Sequence, residues 1–319
     1  PRMITVLAGG VGAARFLRGL VAVHEPSDIT AIVNTADDTV LHGLAISPDL
    51  DTVTYTLADA IDPTRGWGLR DESWRAMGAL ARYTPHRPGD STAGGTWFGL
   101  GDQDLATHMY RTARLAEGAT LAEVTAEITA AWGLGLRIVP MSNDVVATMV
   151  TLADGREVSF QEYFVGLRHD VAVSAVRFAG ADTASPSPGV IAAIDRAERI
   201  VIAPSNPLVS IGPVRAVPGI DEALRSRRDD TVAISPIVAG AALKGPADRM
   251  LVELGHDASV VGVARLYASI CSTLVIDEAD AELAAAVEAE GLRCVVTDTI
   301  MRTPEVSAAL ARRTLEPGR

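Results

Sequence analysis

Apolar residues follow two rhythms along this chain. Short unbroken runs, Met3-Ile4-Thr5-Val6-Leu7-Ala8 and Ile29-Thr30-Ala31-Ile32-Val33, have the length and β-branched content of strands buried on both faces. Between them Phe16, Leu17, Leu20 and Val21 recur at helical spacing. The segment from Asn34 to Asp62 reads as loop plus one short helix. Its start is marked by Ser47-Pro48-Asp49, with Ser as N-cap, Pro in the first helical position and acid in the first turn. Residues 70–135 read as mostly helical, broken by a Pro/Gly-rich loop at 84–96 that is expected to be mobile. Short β-like runs follow at 145–152 and 171–178, and the Asp154-Gly155 turn between Thr151 and Val158 predicts a hairpin. Alternation then resumes. Strands are predicted over 199–203, 231–235, 273–277 and 293–297, with helices near 188–197, 219–227, 246–254, 279–290 and 304–313.

This pattern predicts an α/β fold: a doubly wound, mostly parallel, Rossmann-like sheet with helices on both faces. Residues 1–62 and 185–319 would form the nucleotide-binding core. Residues 63–184 would form an inserted, largely helical subdomain with a β-hairpin. No internal repeat interrupts this reading. The composition fits it, because aromatic residues are only 4% of the 319 and the core must rest on Ala, Val, Leu and Ile. A formal net charge of −12 argues against nucleic-acid or anionic-membrane binding, so an anionic ligand needs backbone N–H groups, a few arginines or a metal. Among the basic residues only Lys244 is a lysine, which reads as codon bias. Cys271 and Cys294 beside apolar runs read as reduced core residues of a cytoplasmic protein. No run approaches the roughly 20 apolar residues of a membrane span, and a strand at the very start is read as the absence of a signal peptide. Oligomeric state stays open, a homodimer included.

In a parallel sheet the carboxyl ends of the strands share one edge, and polar residues gather there. The first strand runs into Gly9-Gly10-Val11-Gly12, whose backbone can present N–H groups to a phosphate beside a helix N-terminus; a tight turn without a ligand is the alternative. Arg15 follows and either faces that anion or is solvated. The loop is neither Gly-x-Gly-x-x-Gly nor a Walker loop. The second strand ends in Asn34-Thr35-Ala36-Asp37-Asp38, and Asp49, Asp51, Asp59 and Asp62 follow with only His42 among them as a basic-type residue. Neighbouring carboxylates repel unless a cation or proton lies between them, and magnesium is the natural partner beside phosphate oxygens. Asp49 and Asp51 also suit a helix start, where they would only complement its dipole. Pro204-Ser205-Asn206-Pro207, with Ser210 beyond, is either a rigid loop or a platform whose amide reads a base. Trp67, Trp97 and Phe98 sit in glycine-flanked loops, where they would wall a flat ring or anchor the inserted block. No serine-hydrolase or zinc spacing is present.

Taken in order, Gly9-Gly10-Val11-Gly12, Asn34-Thr35-Ala36-Asp37-Asp38, Ile46-Ser47-Pro48-Asp49-Leu50-Asp51-Thr52, Gly66-Trp67-Gly68, Gly99 to His108, Pro140 to Asp144, Phe160-Gln161-Glu162 and Pro204-Ser205-Asn206-Pro207 resemble the CofD/FbiA family. These are 2-phospho-L-lactate or phosphoenolpyruvate transferases of coenzyme F-420 biosynthesis. The resemblance spans about residues 3 to 305. It implies a guanosine diphosphate-linked phospho-acid donor, a deazaflavin acceptor (7,8-didemethyl-8-hydroxy-5-deazariboflavin) attacking through its ribityl hydroxyl, GMP as leaving group, and magnesium. It places the donor diphosphate on Gly9, Gly10 and Gly12 with Arg15, Asn34 and Thr35 near, and the nucleotide on Ser205, Asn206 and Ser210. Asp37, Asp38 and Asp51 would bind magnesium, with Asp38 and Asp51 orienting the attacking hydroxyl and Asp51 as general base. Trp67, Trp97 and His108 would meet the acceptor. Gly99 departs from the family pattern, where a basic residue contacts the deazaflavin; Arg70 or Arg111 would have to substitute. The donor acid (lactate, enolpyruvate or glycerate) is not selected by any residue, and bacterial kinship points to enolpyruvate. Two other readings compete. A sugar-nucleotide-binding regulator of the gluconeogenesis-factor type would lack the Ser-Pro-Asp-Leu-Asp-Thr and Ala-Thr-His blocks. A dinucleotide oxidoreductase would need a different loop spacing.

Overall fold

The computed structural model describes residues 3–316. Seven parallel strands form its central sheet: β1 (Ile4–Ala8), β2 (Ile29–Val33), β3 (Arg137–Pro140), β4 (Arg199–Ile202), β5 (Thr231–Ile234), β6 (Thr273–Asp277) and β7 (Arg293–Thr297). Their spatial order is β7-β6-β5-β4-β1-β2-β3. The chain winds outward from β1 to β3, then returns to the centre and winds the other way from β4. The crossing point lies between β1 and β4, which pair directly, Ile4 opposite Arg199. Loops leaving two neighbouring strands there diverge to opposite faces and open a crevice at their carboxyl ends.

Alternate residues serve the two faces of the sheet. Leu7, Ile32, Ile200, Ile202, Leu274 and Ile276 belong to one apolar cluster. Val6, Ala8, Ala31, Val33, Val201 and Val275 belong to the other. Helix α1 (Val11–Val21) covers the second face with Phe16, Leu17 and Leu20 fully buried, each stabilising by about 1.5–3 kcal/mol. The last helix, Pro304–Leu315, crosses α1 so closely that a Cβ on Gly19 would overlap the Ser307 carbonyl.

The inserted stretch departs from expectation at one strand. Arg137–Pro140 is the edge of the central sheet, with Thr30 opposite Arg137 and Val33 opposite Pro140. So the segment 63–184 contributes to the core, and helix α5 (Leu121–Ala131) packs on that edge strand. Its prolyl end suits an edge, where a missing N–H costs nothing. The predicted hairpin forms: Ala147–Leu152 pairs with Glu157–Ser159 and also with Val173–Ala179. This small antiparallel sheet packs Val150, Phe160 and Tyr163 against Val209 and Met250 of the core. Loop was expected before the helix at residue 48, but Thr39–Leu41 and Leu44–Ile46 form a ribbon turning at His42 and Gly43, both at positive φ. Helices α2 (Pro48–Leu57), α3 (Arg75–Ala81) and α4 (Asp102–Ala116) complete the site's surroundings. Among the described residues no helix is long and apolar enough to cross a membrane. Cys271 and Cys294 are free thiols, pushed up by burial to about 12 and about 11.

Candidate active site

The crevice at the β1–β4 crossing is a cleft of about 740 Å³. One end is built by the glycine loop. Gly9 N–H donates to Ser205 Oγ at 3.1 Å. A Cβ on Gly9 would lie 2.7 Å from Ser210 Cβ, and one on Gly12 would overlap the Pro204 carbonyl oxygen. The absent side chains thus let the loops after β1 and β4 interlock. They also leave the first-turn amides of α1, which have no acceptor within the helix, facing the cleft. Asn206 Oδ1 is spent on its own loop, accepting from Leu208 and Val209 N–H, so only Nδ2, in a weak contact with Met250 Sδ at 3.9 Å, is left to meet a ligand. Gly10, Gly12, Arg15, Ser205, Asn206 and Ser210 all line the cleft.

The carboxylates divide into two groups, and the division was not visible in the sequence. Asn34 Nδ2 donates to Asp37 Oδ2 at 3.1 Å and to Asp49 Oδ2 at 3.0 Å. Asp37 Oδ1 is buried without a partner. Burial, then the charges of Asp49 and Asp38, hold the Asp37 carboxyl well above the usual range, and burial pushes Asp49 up to about 6. Asp49 Oδ1 sits 2.7 Å from where a Cβ on Gly10 would be. Asp49, which the sequence left open between a metal-binding cluster and a helix-dipole partner, therefore stands against the glycine loop. Thr35 is buried behind this pair and does not line the cleft.

The second group centres on Arg111, from α4. It is buried and binds both oxygens of Asp51, Oδ2 at 3.2 Å, and also donates to the Ala45 carbonyl at 3.2 Å. Its Nη1 lies 3.2 Å from His108 Nδ1. Arginine can only donate, so that nitrogen accepts, while Nε2 faces Asp104 Oδ2 at 3.2 Å. Tyr55 donates to the other Asp104 oxygen at 2.7 Å. Burial raises the Asp51 carboxyl even though Arg111 and His108 pull it down. Asp51, Asp104 and His108 together offer metal-ligand atoms within 4.8 Å of one another, but Arg111 already supplies the cation. A hard-oxygen ion fits Asp37 and Asp49 better. Asp38 stands outside the lining, with Oδ2 accepting from Ser47 at 2.7 Å; burial raises it well above the usual range. That bond also corrects the expected cap, since Ser47 makes no side-chain bond to α2.

The far end of the cleft is aromatic. Trp67, Phe98, Phe160 and Phe164 line it. Trp97 does not; it is 43% exposed and packs edge-on against Phe98. Arg65 stacks over Trp67, 5.2 Å to the ring centroid. A Cβ on Gly99 would come within 3.2 Å of Trp67, so the small residue makes room for the indole. Neither suggested replacement for the missing basic group serves. Arg70 is exposed, 3.7 Å from Asp59, and Arg111 is tied to Asp51. Arg65 is the arginine on this wall, fixed by Asp62 and Glu72. Glu72, shielded from solvent, accepts from Leu69 N–H at 3.0 Å and Asp104 N–H at 3.3 Å, joining the wall to the start of α4. Lys244 also lines the cleft.

The geometry is that of an anion cradle, a carboxylate pair and an aromatic wall in one crevice. A family profile described as "2-phospho-L-lactate transferase CofD" matches residues 4–314. A phosphoenolpyruvate transferase of Kitasatospora aureofaciens is 44% identical over 317 residues, covering 98% of this chain and 96% of the relative. One from Streptomyces griseus subsp. griseus is also 44% identical, over 98% of this chain and 97% of the relative. A solved UPF0052-family structure from Bacillus halodurans superposes with a TM-score of 0.62 at 17% identity, covering 99% of each chain, which is a likeness of fold. Matched over nearly its whole length, the chain belongs to the CofD family of 2-phospho-L-lactate transferases.

Proposed function

We propose that the protein moves a phospho-acid group from a guanosine diphosphate-linked donor to the ribityl hydroxyl of 7,8-didemethyl-8-hydroxy-5-deazariboflavin, releasing GMP. The observation that carries this reading is a single cleft with a glycine cradle at one end and an aromatic wall at the other. The names of the curated relatives favour enolpyruvate as the donor acid.

In this reading the acceptor hydroxyl oxygen bonds to the outer phosphorus. The bond from that phosphorus to the bridging oxygen breaks, and the bridging oxygen leaves with its electron pair on GMP. Such transfers depend on positioning and charge neutralisation more than on strong base catalysis. The loop at Gly10–Gly12 holds the diphosphate through backbone N–H groups, while Gly9, outside the lining, spends its N–H on Ser205. Asp51 keeps lone pairs free beyond those that Arg111 uses, so it can accept a hydrogen bond from the hydroxyl and aim its oxygen. Its proton leaves to that carboxylate or to water. Magnesium would be held by Asp37 and Asp49, whose oxygens suit a hard cation, and it would neutralise phosphate charge when bound. Trp67 would face the deazaflavin ring. The test is to incubate the protein with the deazaflavin, magnesium and guanylylated enolpyruvate, lactate or glycerate donors and to measure GMP. Release with one donor supports the reading; no release with any of them overturns it.

A further inference from the structure

Among the described residues three Arg or Lys side chains line the cleft: Arg15, Arg65 and Lys244. Arg65 is committed to Asp62, Glu72 and the Leu69 carbonyl. Arg15 and Lys244 make no hydrogen bond or ion pair with any described residue. Asp37, Asp49 and Asp51 border the same space, yet none approaches either cation within pairing distance. Two positive groups that face each other unpaired beside a phosphate cradle need an anion between them. The placement says which one. Arg15 sits in the first turns of α1, directly after the glycine loop. Lys244 reaches across from the loop before helix Ala247–Glu253, and a Cβ on Gly66 would lie 2.5 Å from its Nζ, next to Trp67 of the acceptor wall. Lys244 therefore bridges the cradle and the wall.

We infer that Lys244 is a substrate-binding residue that, with Arg15, grips the outer phosphate of the donor, the group transferred to the acceptor. The identity of the anion rests on the transferase reading; the presence of an anion site does not. Burial and the Arg15 charge lower the ammonium's proton affinity, and a bound phosphate would restore it. A lysine suits this place because a compact point charge can follow a phosphorus that moves between two oxygens, which a forked guanidinium does less well.

The test uses GDP and GMP as probes, titrated calorimetrically into the intact protein with magnesium. GDP carries the outer phosphate and GMP lacks it. Lys244→Gln should weaken GDP by about tenfold or more, as for loss of a charge-assisted contact, and change GMP by less than about twofold. Lys244→Arg should recover most of the GDP affinity, and thermal melts of both variants should match the parent. Equal loss for GDP and GMP would move Lys244 off the outer phosphate and overturn the assignment. So would unchanged GDP affinity, or a parent protein that binds GDP no better than GMP. Absence of GMP release from the parent's full reaction would sink the transferase reading alone, because the GDP-against-GMP difference is measured without turnover.

Discussion

Asp49 offers the sharpest test of the site's electrostatics. Its carboxyl lies between Asn34 and Gly10 at the mouth of the cleft and is raised from 3.8 to about 6, chiefly by burial. A carboxyl that holds its proton more firmly in the folded state makes folding take up a proton between about pH 4 and 6. Stability is therefore greatest below that window and falls as pH rises through it. Two units at 1.36 kcal/mol each give about 3 kcal/mol, or about 1.5–3 kcal/mol once solvent screening of a partly exposed carboxyl is counted. Asp49→Asn removes the charge and keeps an oxygen to accept from Asn34. The variant should be more stable than the parent by that amount at pH 7.5 and nearly equal at pH 4. Urea unfolding from pH 4 to 8 reads this directly, and GMP release should fall steeply in the same variant. A stabilisation that does not vary with pH, or a loss of stability at pH 7.5, would refute the reasoning.

Other consequences follow from the same contacts. Arg111→Leu leaves Asp51 buried without its cation and should cost about 3–5 kcal/mol in urea unfolding; adding Asp51→Asn should recover part of that, and strict additivity of the two would contradict the pairing. Gly12→Ala places a methyl on the Pro204 carbonyl and should cost about 1–3 kcal/mol, with GDP affinity falling in parallel by calorimetry. Trp67→Ala should weaken deazaflavin binding about tenfold in a fluorescence titration while leaving GDP binding unchanged, whereas Trp97→Ala should change neither. Magnesium at about a hundredfold excess over its dissociation constant should raise the parent's stability by about 2.7 kcal/mol at pH 8 and raise that of Asp49→Asn by much less.

Strands 29–33, 273–277 and 293–297 were legible as short β-branched apolar runs and were read at their observed limits, although 293–297 lies at the edge of the sheet. Arg137–Pro140 was not placed in that sheet. It is short, opens on an exposed arginine and follows a long helical stretch, so only pairing with Ile29–Val33 reveals it. The ribbon at 39–46 hid because His42-Gly43 is a rare turn pair, although alternation in Thr39-Val40-Leu41 was there to be read. At the site, residue types were legible and pairings were not. The sequence shows an acidic window with no internal cation, but the cation comes from Arg111, sixty positions beyond Asp51. A still longer separation in sequence concealed Lys244, which reaches the cleft from the opposite half of the chain. Its rarity was visible, and its position was not.

Glu72 has a consequence for how this protein can change over time. It holds the loop bearing Trp67 to the start of α4, and a Cβ on Gly101 would overlap its carboxyl. The stretch from 73 to 100, α3 included, is thus pinned at both ends by one side chain and carries Phe98 and Gly99 but no part of the glycine loop or the carboxylate pair. Mutation can rewrite that stretch, and with it the shape offered to the acceptor, without disturbing the machinery at Gly9–Gly12. On the proposed reading, substitutions between the two attachment points should change deazaflavin affinity in a fluorescence titration while leaving GDP affinity unchanged.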